Sequence, residues 1–202
     1  MGRKKRGEAR DPRWSSELVP APGDLRIVQD FLSTSDPGKA DRLGGPRALA
    51  DWLGLWGLGS GTVEVGEDDF SWAIEVREAL RALVGSRHDG AAAREAVARL
   101  NRSASDLPYR LRFRTPERSR YEPSVGGFDG ALAQLLGLVD DAQRDGSWER
   151  LKLCAEERCR AVFFDPSKNR SGKWCTERCG NRLANAAFRR RERRREAARR
   201  DR

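Results

Sequence analysis

The stretch LCAEERCRAVFFDPSKNRSGKWCTERCGNR, residues 153–182, contains all four cysteines of the 202-residue chain. Cys154 and Cys159 are separated by four residues, Cys175 and Cys179 by three, and fifteen residues lie between the two pairs. Zinc prefers four ligands in a tetrahedron, with sulfur at about 2.3 Å, and two such pairs can supply them. The spacing therefore predicts one structural zinc ion held by four thiolates.

A four-thiolate site leaves no coordination position for water or substrate, whereas a catalytic zinc keeps one position open. We therefore expect the ion to stabilise a fold rather than to take part in chemistry. Two disulfides or four free buried cysteines are the alternatives. The chain begins MGRKKRGEARDPR, which lacks the apolar segment of a secretory signal, and this disfavours disulfides.

The residues between and after the cysteine pairs predict a short hairpin followed by a helix. AVFF (161–164) is an apolar strand run, DPSKNRSG (165–172) is rich in turn-forming residues, and KW (173–174) begins a return strand. Thr176 is suited to cap a helix that carries Cys179 in its first turn. A knuckle, a hairpin and a ligand-bearing helix indicate a treble-clef-like zinc finger at the C-terminus.

The body that precedes the finger is predicted to be mainly α-helical with one small β-hairpin. Its apolar residues recur at helical spacing in five segments. The residues expected to face inward include Leu25, Val28, Phe31 and Leu32; Leu49, Trp52, Leu53 and Trp56; Ala93, Val97 and Leu100; and Leu132, Leu135, Leu136 and Val139. In residues 67–85, apolar and charged residues such as Arg77 are expected to take separate faces. The two tryptophans are assigned to the core, with a ligand platform as the alternative.

The hydrophobic period changes to two in YRLRFR (109–114), and RSRYEPS (118–124) follows after the turn TPE. We expect an antiparallel hairpin with Leu111 and Phe113 on its inner face. Its outer face then carries Arg110, Arg112 and Arg114, and this face is either solvated or a site for an anion.

Two sets of motifs resemble a known family. WCTERCGNR (174–182), preceded by CAEERCRAVFFDPSKNRSGK (154–173), resembles the CGNR zinc finger, named for the residues that here are Cys179, Gly180, Asn181 and Arg182. VQDFLST, LADWL, IEVREALRAL and YEPSVGGFDGALAQLL occur in the order of the ABATE domain that usually precedes such fingers. The resemblance covers residues 23–188. It implies a mostly helical body and a role as a stress-induced transcription regulator.

The basic residues are concentrated at the two ends of the chain. Residues 1–13 carry a net charge of +4 and residues 182–202 a net charge of +7; the whole chain carries +9, so the part between them nets 9 − 11 = −2. Basic ends predict a nucleic-acid partner, with an anionic membrane surface as the competing partner. No run approaches the roughly 18 apolar residues of a membrane span. We therefore expect no membrane partner and a cytoplasmic protein, associated with the nucleoid when bound to DNA.

The expected organisation has four parts. A basic disordered arm (1–22) precedes the ABATE-like domain (23–147), the CGNR-type finger (148–190) and an Arg-rich tail (191–202). The arm is either a solvated tail or a DNA-contacting segment.

On a helix that begins near Thr176, several polar side chains point away from the metal and are suited to base edges in a major groove: Arg178, Asn181, Arg182 and Asn185. Other basic residues of the hairpin tip and of the later helix are suited to phosphates: Lys168, Arg170, Lys173, Arg189 and Arg190. Gly180, Asn181 and Arg182 also have a structural interpretation. In it, the glycine allows close approach of the helix, the asparagine caps the knuckle, and Arg182 supports the metal site through hydrogen bonds.

The predicted function is a zinc-stabilised, DNA-binding transcription regulator whose finger contacts duplex DNA. Its helical body would sense an unknown small-molecule effector or form a homodimer. The alternative is a protein or RNA interaction module without sequence-specific DNA binding. An enzyme is not expected, since the single histidine, His88, lies in a polar turn and no catalytic triad, phosphate loop or open metal site is visible.

Overall fold

The computed structural model describes residues 18–35, 40–86, 89–116 and 118–200. The elements, in chain order, are α1 (Leu25–Leu32), α2 (Pro46–Trp56), α3 (Glu67–Gly85), α4 (Gly90–Ala104), β1 (Tyr109–Thr115), β2 (Arg118–Pro123), α5 (Gly127–Arg144), a 3-10 turn (Trp148–Arg150), β3 (Leu151–Leu153), β4 (Val162–Phe164) and α6 (Glu177–Arg200). β1 pairs with β2 and β3 with β4, both antiparallel. The expected helical body with one hairpin, followed by a finger of hairpin plus helix, is confirmed.

Helix α1 lies at the centre of the body. Its Val28, Phe31 and Leu32 are at most 1% exposed, and the helix contacts α3, α5 and β4. The predicted inward faces of α1 and α2 are confirmed in full. On α5, Leu136 is only partly buried while the other predicted residues are in the core.

A buried carboxylate joins α1 to α2. Asp30 is fully buried, and its Oδ2 accepts hydrogen bonds from Nε1 of Trp52 at 2.8 Å and of Trp56 at 3.0 Å. Its Oδ1 accepts from the guanidinium of Arg42 at 2.8 Å. A buried charge is tolerated when it is paired and hydrogen-bonded, as it is here. Both tryptophans therefore belong to the core, as predicted.

Helix α3 departs from the expected separation of apolar and charged faces. Arg77 is 3% exposed and pairs with the carboxylate of Asp41 at 2.6 Å. Arg81 is also buried and donates to the carbonyl oxygens of Leu32 and, at 3.2 Å, of Arg160. The prediction for Arg77 is wrong because an arginine can enter the interior when buried or half-buried oxygen acceptors meet its guanidinium.

The inward direction of α4 also differs from the prediction. Val97 is 43% exposed, whereas Ala96 is buried and Leu100 is only partly buried. One residue corresponds to a rotation of about 100° on a helix, so a one-residue error moves a side chain from the inner to the outer side. Since α4 packs mainly on α3, a single neighbour decides which side chains are covered.

The β1–β2 hairpin forms in the expected segments, with Leu111 opposite Tyr121. However, Leu111 is 52% exposed and Phe113 is 74% exposed, so the prediction that they face inward is wrong. The physical reason is that α5 covers β2 and the beginning of β1, where Tyr109 Oη donates to the carbonyl of Ala133 at 3.2 Å. The rest of β1 extends into solvent on both faces.

Strands β3 and β4 attach the finger to the body. Leu151 lies opposite Phe164, so the AVFF strand pairs with the residues before the first cysteine and the predicted pairing with KW (173–174) is wrong. Leu151, Val162 and Phe164 belong to the same core cluster as α1 and α5. The body and the base of the finger therefore share one hydrophobic core.

Residues 18–22, the last part of the predicted arm, include a segment held against α1. The Ala21 N–H donates to Gln29 Oε1 at 2.6 Å, and Gln29 Nε2 donates to the Val19 carbonyl at 3.2 Å. The rest of the arm and the predicted turn at His88 lie outside the described residues. Among the described helices, none combines the length and the apolar character that a membrane crossing requires.

Candidate metal centre and nucleic-acid interface

The structure brings the four cysteine sulfurs together. All four lie within 4.8 Å of one another, with Cys159 Sγ 3.6 Å from Cys175 Sγ, and Cys175 Sγ 3.7 Å from Cys179 Sγ. A tetrahedron with zinc–sulfur distances of about 2.3 Å has sulfur–sulfur edges of about 3.8 Å. A disulfide would require about 2.05 Å, and all four cysteines are free. The donor set and its spacing fit one structural zinc ion.

Each pair of ligands comes from a different local structure. Cys154 follows β3, and its N–H donates to the Ala161 carbonyl at 2.9 Å. Cys159 closes a tight turn in which its N–H donates to the Glu156 carbonyl at 2.8 Å. Arg160 then adopts a left-handed conformation with φ of 45°, which sends the chain into β4. Cys179 lies in the first turn of α6, as the spacing predicted.

Two of the four thiols resist ionisation while no counter-charge is present. Burial raises the pKa of the Cys159 thiol and the pKa of the Cys175 thiol, because a thiolate without a counter-charge is poorly solvated there. The neighbouring Cys154 sulfur raises both further. A divalent cation removes this repulsion, and its binding is therefore coupled to proton release.

A second buried carboxylate fixes the loop between the two ligand pairs. Asp165 accepts hydrogen bonds from Lys152 Nζ at 2.6 Å, the Gly172 N–H at 2.7 Å and the Ser167 N–H at 2.9 Å. Burial by itself raises the pKa of Asp165, but these donors outweigh it and hold the pKa well below its usual range. A Cβ on Gly172 would lie 2.8–2.9 Å from the carboxylate atoms, so a larger residue there would displace the Asp165 carboxylate from its donors.

Sequence reasoning missed Asp165 and Lys152 as parts of the finger. The signal that could have found Asp165 is its position between the apolar strand and a proline, where an aspartate often accepts from the backbone N–H two residues further on. No local pattern identifies Lys152, since it meets the loop only after β3 has paired with β4.

The tryptophan and the glycine of the CGNR-like motif contact each other. A Cβ built on Gly180 would lie 3.1 Å from Trp174 Cε3, so the indole packs directly on the first turn of α6. This observation supports the structural interpretation of Gly180, in which its missing side chain allows close approach.

The four residues assigned to base edges lie in the first three turns of α6, and all are exposed: Arg178, Asn181, Arg182 and Asn185. Arg178, Arg182 and Asn185 are spaced four and three residues apart, and Arg189 follows four residues later. Such spacing places all of them on one face of the helix, with Asn181 at its edge. The exposed face of α6 is therefore basic and amide-bearing.

The residues assigned to phosphates are also exposed. Lys168 and Lys173 lie at the two ends of the loop that Asp165 anchors. Arg170 pairs with Glu149, so part of its charge is already neutralised. Its backbone carbonyl accepts a hydrogen bond from Lys152 Nζ. Arg189 and Arg190 lie further along α6, which continues without a break to Arg200.

These features define a helical protein with a C-terminal four-cysteine zinc finger. Residues 25–144 match the family model ABATE, described as "Putative stress-induced transcription regulator", and residues 150–192 match the CGNR zinc finger. The chain therefore belongs to the ABATE family and carries a CGNR zinc finger, which confirms the resemblance seen in the sequence. The two descriptions are those of a regulator and a zinc finger rather than of an enzyme. No curated protein matches the chain.

Proposed function

We propose that this protein is a DNA-binding transcription regulator whose finger contacts duplex DNA through α6. The observation that carries the proposal is the course of α6, which begins next to the metal centre and extends as one helix of 24 residues. It contains ten arginines and three glutamates, a net charge of +7. A helix of this length spans roughly 36 Å. Because the zinc site fixes the first turn of α6, Arg178 and Arg182 are presented in a defined direction.

The chemistry of the exposed helix face supports base contacts near the metal and phosphate contacts further away. Arginine can bind guanine bidentately and asparagine can bind adenine, so Arg178, Asn181, Arg182 and Asn185 suit the major groove. The residues proposed to contact phosphates, which set register without reading sequence, are Lys168, Arg170, Lys173, Arg189 and Arg190. The pairing of Arg170 with Glu149 predicts that Arg170 contributes least of these.

The first described residue supports a DNA-contacting role for the N-terminal arm. Leu18 packs against the cluster formed by Cys154, Phe163 and Cys179. The basic residues 1–13 therefore precede a point of attachment beside the zinc centre rather than on the far side of the body. On this proposal, both basic ends of the chain act on the same DNA in the cytoplasm or nucleoid.

A cavity between body and finger supports a sensing role for the body. It has a volume of about 480 Å³, and its lining includes Glu78, Arg81, Ser86, Asp89, Leu153 and Arg160. Groups of both charges lie next to apolar ones, which suits a small zwitterionic molecule. Since Leu153 and Arg160 belong to the finger, we propose that an effector bound there changes the presentation of α6.

The test is equilibrium binding of the zinc-loaded full chain to labelled random duplex DNA, single-stranded DNA and RNA over a series of salt concentrations. We expect the steepest salt dependence with duplex, because each neutralised phosphate adds about 0.9 to the slope for B-DNA and about 0.7 for a single strand. Equal or stronger binding to RNA or single strands would favour the alternative of an RNA or protein interaction module.

A variant pair sharpens this test. We expect Arg182→Ala to weaken duplex binding, by up to roughly tenfold at low salt, with unchanged zinc content, since one cationic contact to the duplex is lost. Arg47→Ala, an exposed arginine on α2, is the control and should bind DNA like the wild type. Loss of zinc from the Arg182→Ala protein would assign this arginine a structural role instead.

A further inference from the structure

The four cysteines of the metal centre differ in their access to solvent. Cys154 is fully buried and Cys179 is 6% exposed, whereas Cys159 and Cys175 are only half-buried. Each ligand pair therefore contributes one sulfur that a small molecule in solution can reach. These two sulfurs are also neighbours, since Cys159 Sγ lies 3.6 Å from Cys175 Sγ.

The two accessible cysteines lie outside the strands and the helix of the finger. Cys159 is in the turn between β3 and β4, and Cys175 is in the loop that precedes α6. Cys154, in contrast, directly follows β3, and Cys179 belongs to the first turn of α6. A disulfide has an S–S distance of about 2.05 Å, so the accessible sulfurs need to approach each other by about 1.5 Å. A turn and a loop can make this movement without the loss of a strand or helix.

Basic residues adjoin both accessible cysteines in the chain. Arg158 and Arg160 flank Cys159, and Lys173 lies two residues before Cys175; all three side chains are exposed. The thiolate is the nucleophile of cysteine chemistry, and reactive cysteines are partly exposed in electropositive surroundings. Zinc ligation requires the sulfurs to be deprotonated. Cys159 and Cys175 therefore combine ionisation, exposure and a basic environment.

We propose that Cys159 and Cys175 are an oxidation site, at which hydrogen peroxide converts the two thiolates into a disulfide and zinc is released. One thiolate attacks a peroxide oxygen, so that an S–O bond forms, the O–O bond breaks and hydroxide leaves. The second thiolate attacks the resulting sulfenic sulfur; the S–S bond forms, the S–O bond breaks and a second hydroxide leaves. The two sulfurs together lose two electrons, the peroxide gains them, and the two hydroxides take up protons to give water.

Oxidation at this site also changes how α6 is held. Only two thiolates remain, which is too few for a structural zinc site. Cys179 then no longer fixes the first turn of α6 through the metal. Trp174 packs on Gly180 and directly precedes Cys175, so movement of Cys175 disturbs this contact as well. The start of α6 is released from the finger, while β3 and β4 remain in the core of the body.

This inference deepens the proposed function and rests on it for its biological meaning, since release of α6 lowers the affinity for duplex DNA. The oxidation itself is a property of the free protein and is measured without DNA. Failure of DNA binding and failure of oxidation are therefore distinguishable.

The first experiment treats the zinc-loaded full chain with hydrogen peroxide and follows zinc release with a chromogenic chelator. We expect zinc release together with a mass about 2 Da below that of the reduced, zinc-free protein. After alkylation of the remaining thiols, trypsin separates the four cysteines into the peptides 153–158, 159–160, 174–178 and 179–182. We expect a crosslink between 159–160 and 174–178. No disulfide, a different crosslink, or a mixture of all pairs overturns the proposal.

A ligand exchange separates this site from general oxidation of the finger. Histidine is also a zinc ligand, so Cys159→His is expected to keep the metal while removing one of the two accessible sulfurs. Its zinc release by peroxide should be roughly tenfold slower than that of the wild type, because the remaining cysteine pairs include a buried sulfur. Release at the wild-type rate from a zinc-loaded Cys159→His protein contradicts the assignment. The peptide map of the wild type decides the question if this variant does not hold zinc.

The second experiment measures the release of α6. We expect hydrogen–deuterium exchange of residues 177–182 to become roughly tenfold faster in the oxidised protein, since local opening is easier there. Helix α4, which packs mainly on α3, is the control and should change little. A thiol reductant with added zinc should restore slow exchange and, with it, the affinity for random duplex DNA. Unchanged exchange at 177–182 in the disulfide form overturns the release of α6.

Discussion

The two hairpins of this protein have opposite environments. β1 and β2 are seven and six residues long, and six of the seven residues of β1 are exposed. β3 and β4 have only three residues each, and every residue of β4 is buried. The short strands contact α3 and α1, whereas the long hairpin is covered by α5 over part of its length.

This difference shows that neighbours decide the burial of a strand more than its length or its alternation does. Val162, Phe163 and Phe164 form a continuous apolar run, which is typical of a strand covered on both faces. The alternation in β1 predicted one covered face, but alternation cannot specify whether any element lies over that face.

The largest effect is expected from removal of a zinc ligand beside the buried hairpin. We expect Cys154→Ser to lose the metal and to lower the free energy of unfolding by more than about 5 kcal/mol, because structural zinc contributes folding energy directly. Since β3 and β4 share the core of the body, the thermal unfolding of the helical body should also shift to lower temperature. Zinc analysis and circular dichroism melting measure the two effects.

The control is the wild type stripped of zinc by a chelator, which should resemble the variant. A helical body that melts at an unchanged temperature after zinc loss would show that the finger folds as a separate unit.

A matched pair of phenylalanines tests the comparison directly. Phe164 in β4 is 9% exposed, and we expect Phe164→Ala to lower the free energy of unfolding by about 3–5 kcal/mol. Phe113 in β1 is 74% exposed, and Phe113→Ala should change the stability of the monomer by less than about 0.5 kcal/mol. Urea denaturation at low protein concentration measures both. Similar losses of stability in the two variants would contradict the assignment of Phe164 to the core and of Phe113 to the surface.

The metal site could be predicted from the sequence because cysteine spacing is a local property. Two pairs separated by fifteen residues limit the possible geometries strongly, and the exposed positions of Arg178 and Asn185 then follow from helical periodicity. The Asp165 loop could not be predicted in full, since Lys152 approaches it only through the pairing of β3 with β4. The strand at 162–164 had two possible partners, residues 151–153 and residues 173–174. Sequence patterns do not show which of the two it pairs with.

In the helical body, too, burial that depends on distant parts of the chain could not be predicted from the sequence. The faces of α1 and α2 could be predicted because their apolar residues cover a wide arc that contacts several elements. Helix α4 has one main neighbour, so a small error in the predicted direction of its inner face matters. The prediction placed Val97 in the interior, whereas Ala96 is the buried residue. Arg77 and Asp30 are buried because distant parts of the chain supply their partners, and a pattern that assigns charged residues to the surface cannot anticipate this.

A smaller effect is expected from the carboxylate that anchors the loop beyond β4. Asp165→Asn should lower the free energy of unfolding by about 2 kcal/mol at neutral pH, because charge-assisted hydrogen bonds from Lys152 and two backbone N–H groups are weakened. The pKa of Asp165 is lowered on folding, so its contribution is present above the unfolded pKa of about 3.9 and is lost as the pH falls below it.

The difference in stability between wild type and Asp165→Asn should therefore shrink on acidification. Both proteins have the same zinc ligands, so the effect of acid on the metal site cancels in the comparison. Asp145→Asn is the control, since Asp145 is exposed and accepts a hydrogen bond from the Ser147 N–H. Asp145→Asn should lower the free energy of unfolding by less than about 0.5 kcal/mol. A difference for Asp165→Asn that is independent of pH would mean that shape, rather than charge, holds the loop.

The smallest effect concerns the covered end of the exposed hairpin. Burial, with a contribution from the nearby Asp140 carboxylate, raises the pKa of Tyr109 to about 12. The neutral phenol is therefore favoured by folding, and this stabilisation is present below the unfolded pKa of about 10 and is lost as the pH rises through about 12.

The chain has two tyrosines, so Tyr121→Phe leaves Tyr109 as the only phenol. Ultraviolet titration of that variant, followed together with circular dichroism, should show phenolate appearing near pH 12 or only with unfolding. Ionisation near pH 10 in a protein that remains folded would mean that this end of the hairpin is as exposed as its tip.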